Sequence, residues 1–114
     1  MLNANCRTYI LKDKTAVPCE DIRKWGRFLE DWKTRRVART NLPDGGFIST
    51  VFMGIDHQLD DNGPPLLFET IIFNGNEYTD IWRYFTWDEA IEGHQRVVKE
   101  CANFKKLEES NENI

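Results

Sequence analysis

Residues 46–73, GFISTVFMGIDHQLDDNGPPLLFETIIF, constrain the fold more than any other stretch of the chain. Two apolar runs, 47–55 and 66–73, each have the length of a strand. In the first, Phe47, Val51, Met53 and Ile55 alternate with Ile48 and Phe52; in the second, Leu66, Phe68 and Ile72 alternate with Leu67, Ile71 and Phe73. Strands apolar on both sides read as central ones covered on both faces. The loop between them carries Asp56-His57, Asp60-Asp61 and Gly63-Pro64-Pro65, and Glu69 sits inside the second strand. Polar groups this close to a core are either satisfied structurally or used.

The flanking segments complete one domain. Residues 7–12 (RTYILK) read as a first strand. Residues 20–32 place Ile22, Trp25, Phe28, Leu29 and Trp32 at helical spacing, with Pro18, Glu20 and Asp21 suited to the start of that helix. Gly26 weakens it by roughly 1 kcal/mol relative to alanine unless a neighbour packs close. Residues 35–42 and 47–55 flank Pro43-Asp44-Gly45-Gly46 and form a hairpin, because proline presets φ and glycine supplies positive φ. Asn74-Gly75-Asn76 marks a second turn before a strand over 79–85. Thr86 and Glu89 then have the form of a capping box, opening a helix with Ala90, Ile91, His94, Val97, Val98 and Cys101 on one stripe. The fold class is α+β: an antiparallel sheet of about five strands with two helices, in the order β-α-β-β-β-β-α. Residues 1–104 form the domain, and 105–114 form a polar, flexible tail. The helices lie one on each face, or both on one face with the other in a homodimer.

The 114 residues leave room for one core only. A net charge of −4 argues against general nucleic-acid binding. Cys6, Cys19 and Cys101 are few, odd in number and far apart, as in a chain that keeps its thiols reduced. No segment has the pattern of a signal peptide or a membrane span. These features point to a cytoplasmic protein.

Several residues are candidates for chemistry. His94 lies on the apolar stripe beside Gly93 and reads as a hydrogen-bonded histidine at the core edge, or as the partner of a buried acid or metal. Glu69 finds its simplest partner in Arg83 on the following strand, with His94 and His57 as alternatives. His57, Glu69 and His94 together offer the ligand types of a metal-dependent hydrolase, with Asp56 in support, although their spacing matches no compact metal motif. Asp56 has a more ordinary role as an Asx turn. Asp60, Asp61 and Asn62 lack the full ligand pattern of a calcium loop. No phosphate-cradling or nucleophile-elbow motif occurs, and no catalytic residue, metal or cofactor is assigned.

For binding, the candidates are Arg35, Arg36, Asp56, His57, Trp82, Arg83 and Trp87. Lys33, Arg35, Arg36 and Arg39 form a basic cluster in which Arg35 and Arg39 share a face on a regular strand. Such a face suits a phosphate or an acidic partner, or guards an edge strand against aggregation. Trp32, Trp82 and Trp87 are the aromatic anchors to hand.

Three motifs occur in order: Ser49-Thr50-Val51 leading through Gly54 to Asp56-His57, Gly63-Pro64-Pro65 leading to Phe68-Glu69-Thr70, and Arg83-Tyr84 followed by Thr86, Glu89-Ala90 and Gly93-His94. Over about residues 35–98 this pattern resembles a family of small accessory proteins of tailed bacteriophages and prophages. The resemblance implies a viral protein acting in the host cytoplasm. It would bind and inhibit or sequester a host factor, whether a host or defence protein or a small signalling nucleotide, in a counter-defence role.

Overall fold

The computed structural model describes residues 6–58, 63–74 and 77–112, with side chains described at 6–58, 63–74 and 81–102. The chain is α+β, with a two-stranded and a four-stranded antiparallel sheet and three helices. Strands β1 (Tyr9–Lys12) and β2 (Thr15–Pro18) form a hairpin. Helices α1 (Ile22–Glu30) and α2 (Trp32–Arg35) follow. Strands β3 (Arg36–Asn41), β4 (Phe47–Phe52), β5 (Phe68–Asn74) and β6 (Glu77–Tyr84) form a meander in that spatial order, and α3 (Trp87–Glu112) closes the chain. The backbone of 105–112 continues α3; residues 113–114, like the loop at 59–62 and Gly75-Asn76, lie outside the described residues.

The first strand is thus half of a hairpin and not a member of the main sheet, and Pro18 ends β2 without entering a helix. The turn joining β1 to β2 is Asp13-Lys14, at φ 50° and 68°. This left-handed pair normally calls for Asn-Gly or Asp-Gly, so a turn ending in lysine carries little signal. The helix over 20–32 is broken at Asp31. Asp21 caps α1 by accepting from the Arg23 and Lys24 amides, and the Asp31 carboxylate accepts from the Lys33 amide to start α2. At the start of α3, Thr86 Oγ1 accepts from the Glu89 amide at 3.1 Å, and Glu89 Oε2 reaches the amide of Phe85, one residue before the cap.

All the covering elements lie on one side of the four-stranded sheet. Ile48, Thr50 and Phe52 of β4, Phe68 and Thr70 of β5 and Tyr84 of β6 are buried under α3 and α1. Phe52, Leu67, Phe68, Tyr84 and Ala90 form the core, flanked by Tyr9, Leu11 and Ala16 of the hairpin and by Phe28. The alternate residues Phe47, Ser49 and Val51, which pair with Phe73, Ile71 and Glu69, are only half-buried. The two-sided apolar pattern of β4 and β5 therefore marks a covered face and an open one, not two covered faces.

Gly54 is the hub between sheet, hairpin and α1. Its carbonyl accepts from the Tyr9 amide at 2.8 Å and from Trp25 Nε1 at 2.9 Å. Its φ is +79°, and a Cβ there would stand 2.7 Å from Leu29 Cδ2. At Gly26, by contrast, a Cβ would meet nothing within 4 Å. Gly54→Ala is expected to destabilise the fold by about 2–4 kcal/mol through backbone strain and overpacking. Gly26→Ala is expected to stabilise it by about 0.5–1 kcal/mol. Urea denaturation of the two variants measures both.

Candidate functional site

The covered face is held by a buried polar chain. Thr50 and Thr70 stand opposite each other in the register of β4 and β5, fully buried, with their hydroxyls in hydrogen-bonding contact. Thr50 Oγ1 meets His94 Nδ1 at 2.7 Å, and Thr40 Oγ1 of β3 meets His94 Nε2 at 2.8 Å. One imidazole from α3 is thereby tied to β3 and β4, and through Thr70 to β5. His94 is 5% exposed, and burial lowers its pKa below the ordinary 6.5. A neutral ring with one donor and one acceptor nitrogen suits two hydroxyls, each able to play either part. Gly93 lets α3 sit down on Tyr84, since a Cβ there would overlap the phenol ring. The Tyr84 hydroxyl is buried with no hydrogen-bond partner among the described groups.

Glu69 lies on the other face. It pairs in register with Arg83, whose Nε donates to its Oε2 at 3.2 Å. His57 is exposed in the loop after β4, where its amide donates to the Leu66 carbonyl. The three candidate metal ligands His57, Glu69 and His94 are therefore not brought together. Among the described residues no group of three or more His, Cys, Asp or Glu side chains is placed to hold a metal. Asp56 is an Asx turn: its Oδ1 accepts from the amides of Gln58 and Leu66, each at 2.8 Å, closing the loop base. Burial, then the Asp56 carboxylate and Cys6, raise the pKa of the neighbouring Tyr9.

The basic cluster divides in an unexpected way. Arg35 ends α2, and its guanidinium turns inward to donate to the carbonyls of Phe52 (3.1 Å) and Leu29 (3.3 Å). It does not share a strand face with Arg39. Arg36 does, because of a β-bulge: Arg36 pairs with Val51 and Arg39 with Ser49, although only Ala38 and the extra residue Val37 lie between them. In a regular strand residues three apart point to opposite faces, and the extra residue restores them to the same one. Arg36 stacks on Trp32 at 4.4 Å and Arg39 on Phe47 at 4.0 Å; Phe47 in turn stacks on Phe73 at 4.7 Å.

The open face therefore combines Phe47, Val51, Ile71, Phe73 and the 44%-exposed Ile81 with Arg36, Arg39 and the Glu69–Arg83 pair. Trp32, 54% exposed, stands beside it. Of the other tryptophans, Trp82 packs at the edge of the covered core. Trp87 lies under Lys14, whose Nζ is 5.6 Å from the ring centroid. Trp87 also borders a cleft of about 480 Å³ between the hairpin tip and the start of α3, lined as well by Asp13, Pro65, Phe85 and Asp88.

The chain gives no significant match to a family model, a curated protein or a solved structure. Among the described residues no helix is long and apolar enough to cross a membrane.

The threonines of the polar chain are the residues that sequence reasoning missed. Their signal was phase: Thr50 and Thr70 occupy inward positions between Ile48 and Phe52 and between Phe68 and Ile72, where a β-branched hydroxyl passes for a strand former.

His94→Leu removes the hydrogen bond that Thr40 makes to the ring and leaves Thr50 with Thr70 alone, and is expected to cost about 1–3 kcal/mol, whereas Tyr84→Phe removes only an unpartnered hydroxyl and is expected to be neutral or stabilising. Because burial depresses the folded-state pKa of His94, the unfolded chain takes up the proton first as pH falls. The contribution is complete above about 6.5 and is lost as pH drops from there through the folded-state value. Denaturation midpoints across that window should fall for the wild type and lose this component in His94→Leu.

Proposed function

We propose that this chain is a binding protein, an accessory factor of phage or prophage origin that acts in the bacterial cytoplasm by docking and disabling a host protein on the open face of its four-stranded sheet. The observation that carries this reading is the face itself. Half-buried Phe47, Val51, Ile71 and Phe73 and exposed Ile81 lie together, framed by arginines stacked on aromatic rings. An apolar centre with an aromatic and arginine rim has the composition of an interaction surface. The motif resemblance supplies the provenance and the host.

A signalling nucleotide draws less support. The cleft at the hairpin tip has Trp87 and one cation, Lys14, which lies over that ring, but no arginine, and Asp13 and Asp88 border it. Arg35 is occupied by carbonyls inside the fold. A metal-dependent hydrolase draws none, with Glu69 and His94 on opposite sides of the sheet.

Affinity capture from host lysate with mass spectrometry tests the reading. A protein retained by the wild type and by His57→Ala, and lost with Ile81→Asp, is the expected result. Equal capture by Ile81→Asp would contradict it.

A further inference from the structure

We infer that the β3 edge of the open face takes an extended acidic segment of the partner polypeptide, whose alternate carboxylates pair with Arg36 and Arg39. The inference rests on the reading of this face as the docking surface and adds the chemistry of what docks there. β3 ends the four-stranded sheet, and among the described residues no strand pairs with its outer side. An edge strand presents a row of backbone donors and acceptors that an incoming strand can complete.

The two arginines set the charge. They lie opposite Val51 and Ser49, two residues apart on β4, so they repeat along the edge at about 6.6 Å, the spacing of alternate side chains on an extended chain. Arg83 is neutralised by Glu69, but neither Arg36 nor Arg39 has a carboxylate partner among the described residues. Each guanidinium lies over an aromatic ring, Arg36 over Trp32 and Arg39 over Phe47, and Arg39 Nε donates to Asn41 Oδ1 at 3.4 Å, which leaves the terminal nitrogens of both arginines to meet a carboxylate. The bulge at Val37 is what aligns them, and it also turns Val37 against the core.

Two other occupants fit less well. Single-stranded nucleic acid needs open aromatic faces for its bases, yet Phe47 is stacked between Arg39 and Phe73, and the chain as a whole carries −4. A second copy would bring Arg36 and Arg39 of each chain into one interface, with each Glu69 already engaged by its own Arg83.

The test is fluorescence anisotropy of the full chain with a labelled extended peptide alternating glutamate with valine. Its counterpart with glutamine for glutamate and a labelled oligouridylate are measured alongside. The glutamate peptide should bind, the glutamine peptide about tenfold or more weakly, and Arg36→Glu with Arg39→Glu should abolish binding. Both arginines are exposed, so the variant keeps the core; thermal melting checks it. Equal affinity for the two peptides, binding of the oligouridylate alone, binding of none, or a dimer in sedimentation that the double variant dissolves would each overturn the inference. Applied to a protein captured from lysate, the variants separate the two claims. Loss with Ile81→Asp but not with the arginine variant leaves the docking face standing and removes the acidic strand; loss with neither removes both.

Discussion

One imidazole decides how this chain is layered. His94 hydrogen-bonds through both ring nitrogens to hydroxyls on two strands, and the second of those hydroxyls touches a third strand. Buried polar groups are costly unless fully satisfied, and a satisfied set permits one placement where a purely apolar contact would permit several. Here it fixes α3 in register over β3, β4 and β5, with Gly93 allowing the approach. Once α3, α1 and the β1–β2 hairpin share that side, nothing in the described chain remains to cover the other.

The open side shows how a sheet can carry apolar groups toward solvent without losing its definition. Its exposed rows are interrupted by charge: Glu69 and Arg83 pair across β5 and β6, and Arg36 and Arg39 cap aromatic rings along the β3 edge. Such pairs contribute little stability, a few tenths to about 1 kcal/mol each, but arginine and bulges at an edge discourage indiscriminate strand addition. Stability and recognition are thus assigned to opposite faces of the same strands. Residues of even number on β4 hold the fold together, and their odd-numbered neighbours are presented outward.

Much of this was legible in the sequence where the signal is local. The Pro43 to Gly46 turn, the stripe on α3, the Thr86 cap and the cross-strand partnership of Glu69 with Arg83 all follow from spacing and residue type. What escaped depends on exceptions to spacing. A bulge at Val37 has no residue signature, yet it exchanges Arg35 for Arg36 as the companion of Arg39. The Asp13-Lys14 turn lacks the glycine that announces a two-residue hairpin, so nothing local signals β2, and the first strand pairs with it instead of joining the main sheet. Asp31 breaks a helix whose apolar periodicity runs through it. His94 could be placed on its stripe, but its threonine partners lie far away in sequence on strands that propensity alone describes as apolar.

The role of His94 as a neutral, doubly bonded tie is the claim on which the separation of the two faces stands. Long-range proton–nitrogen NMR of its ring through a pH titration reads that role directly. The structure predicts one fixed neutral tautomer that persists as pH falls below about 6.5, the ordinary value for the side chain. A ring that averages between tautomers and titrates near 6.5 like a free imidazole would contradict it.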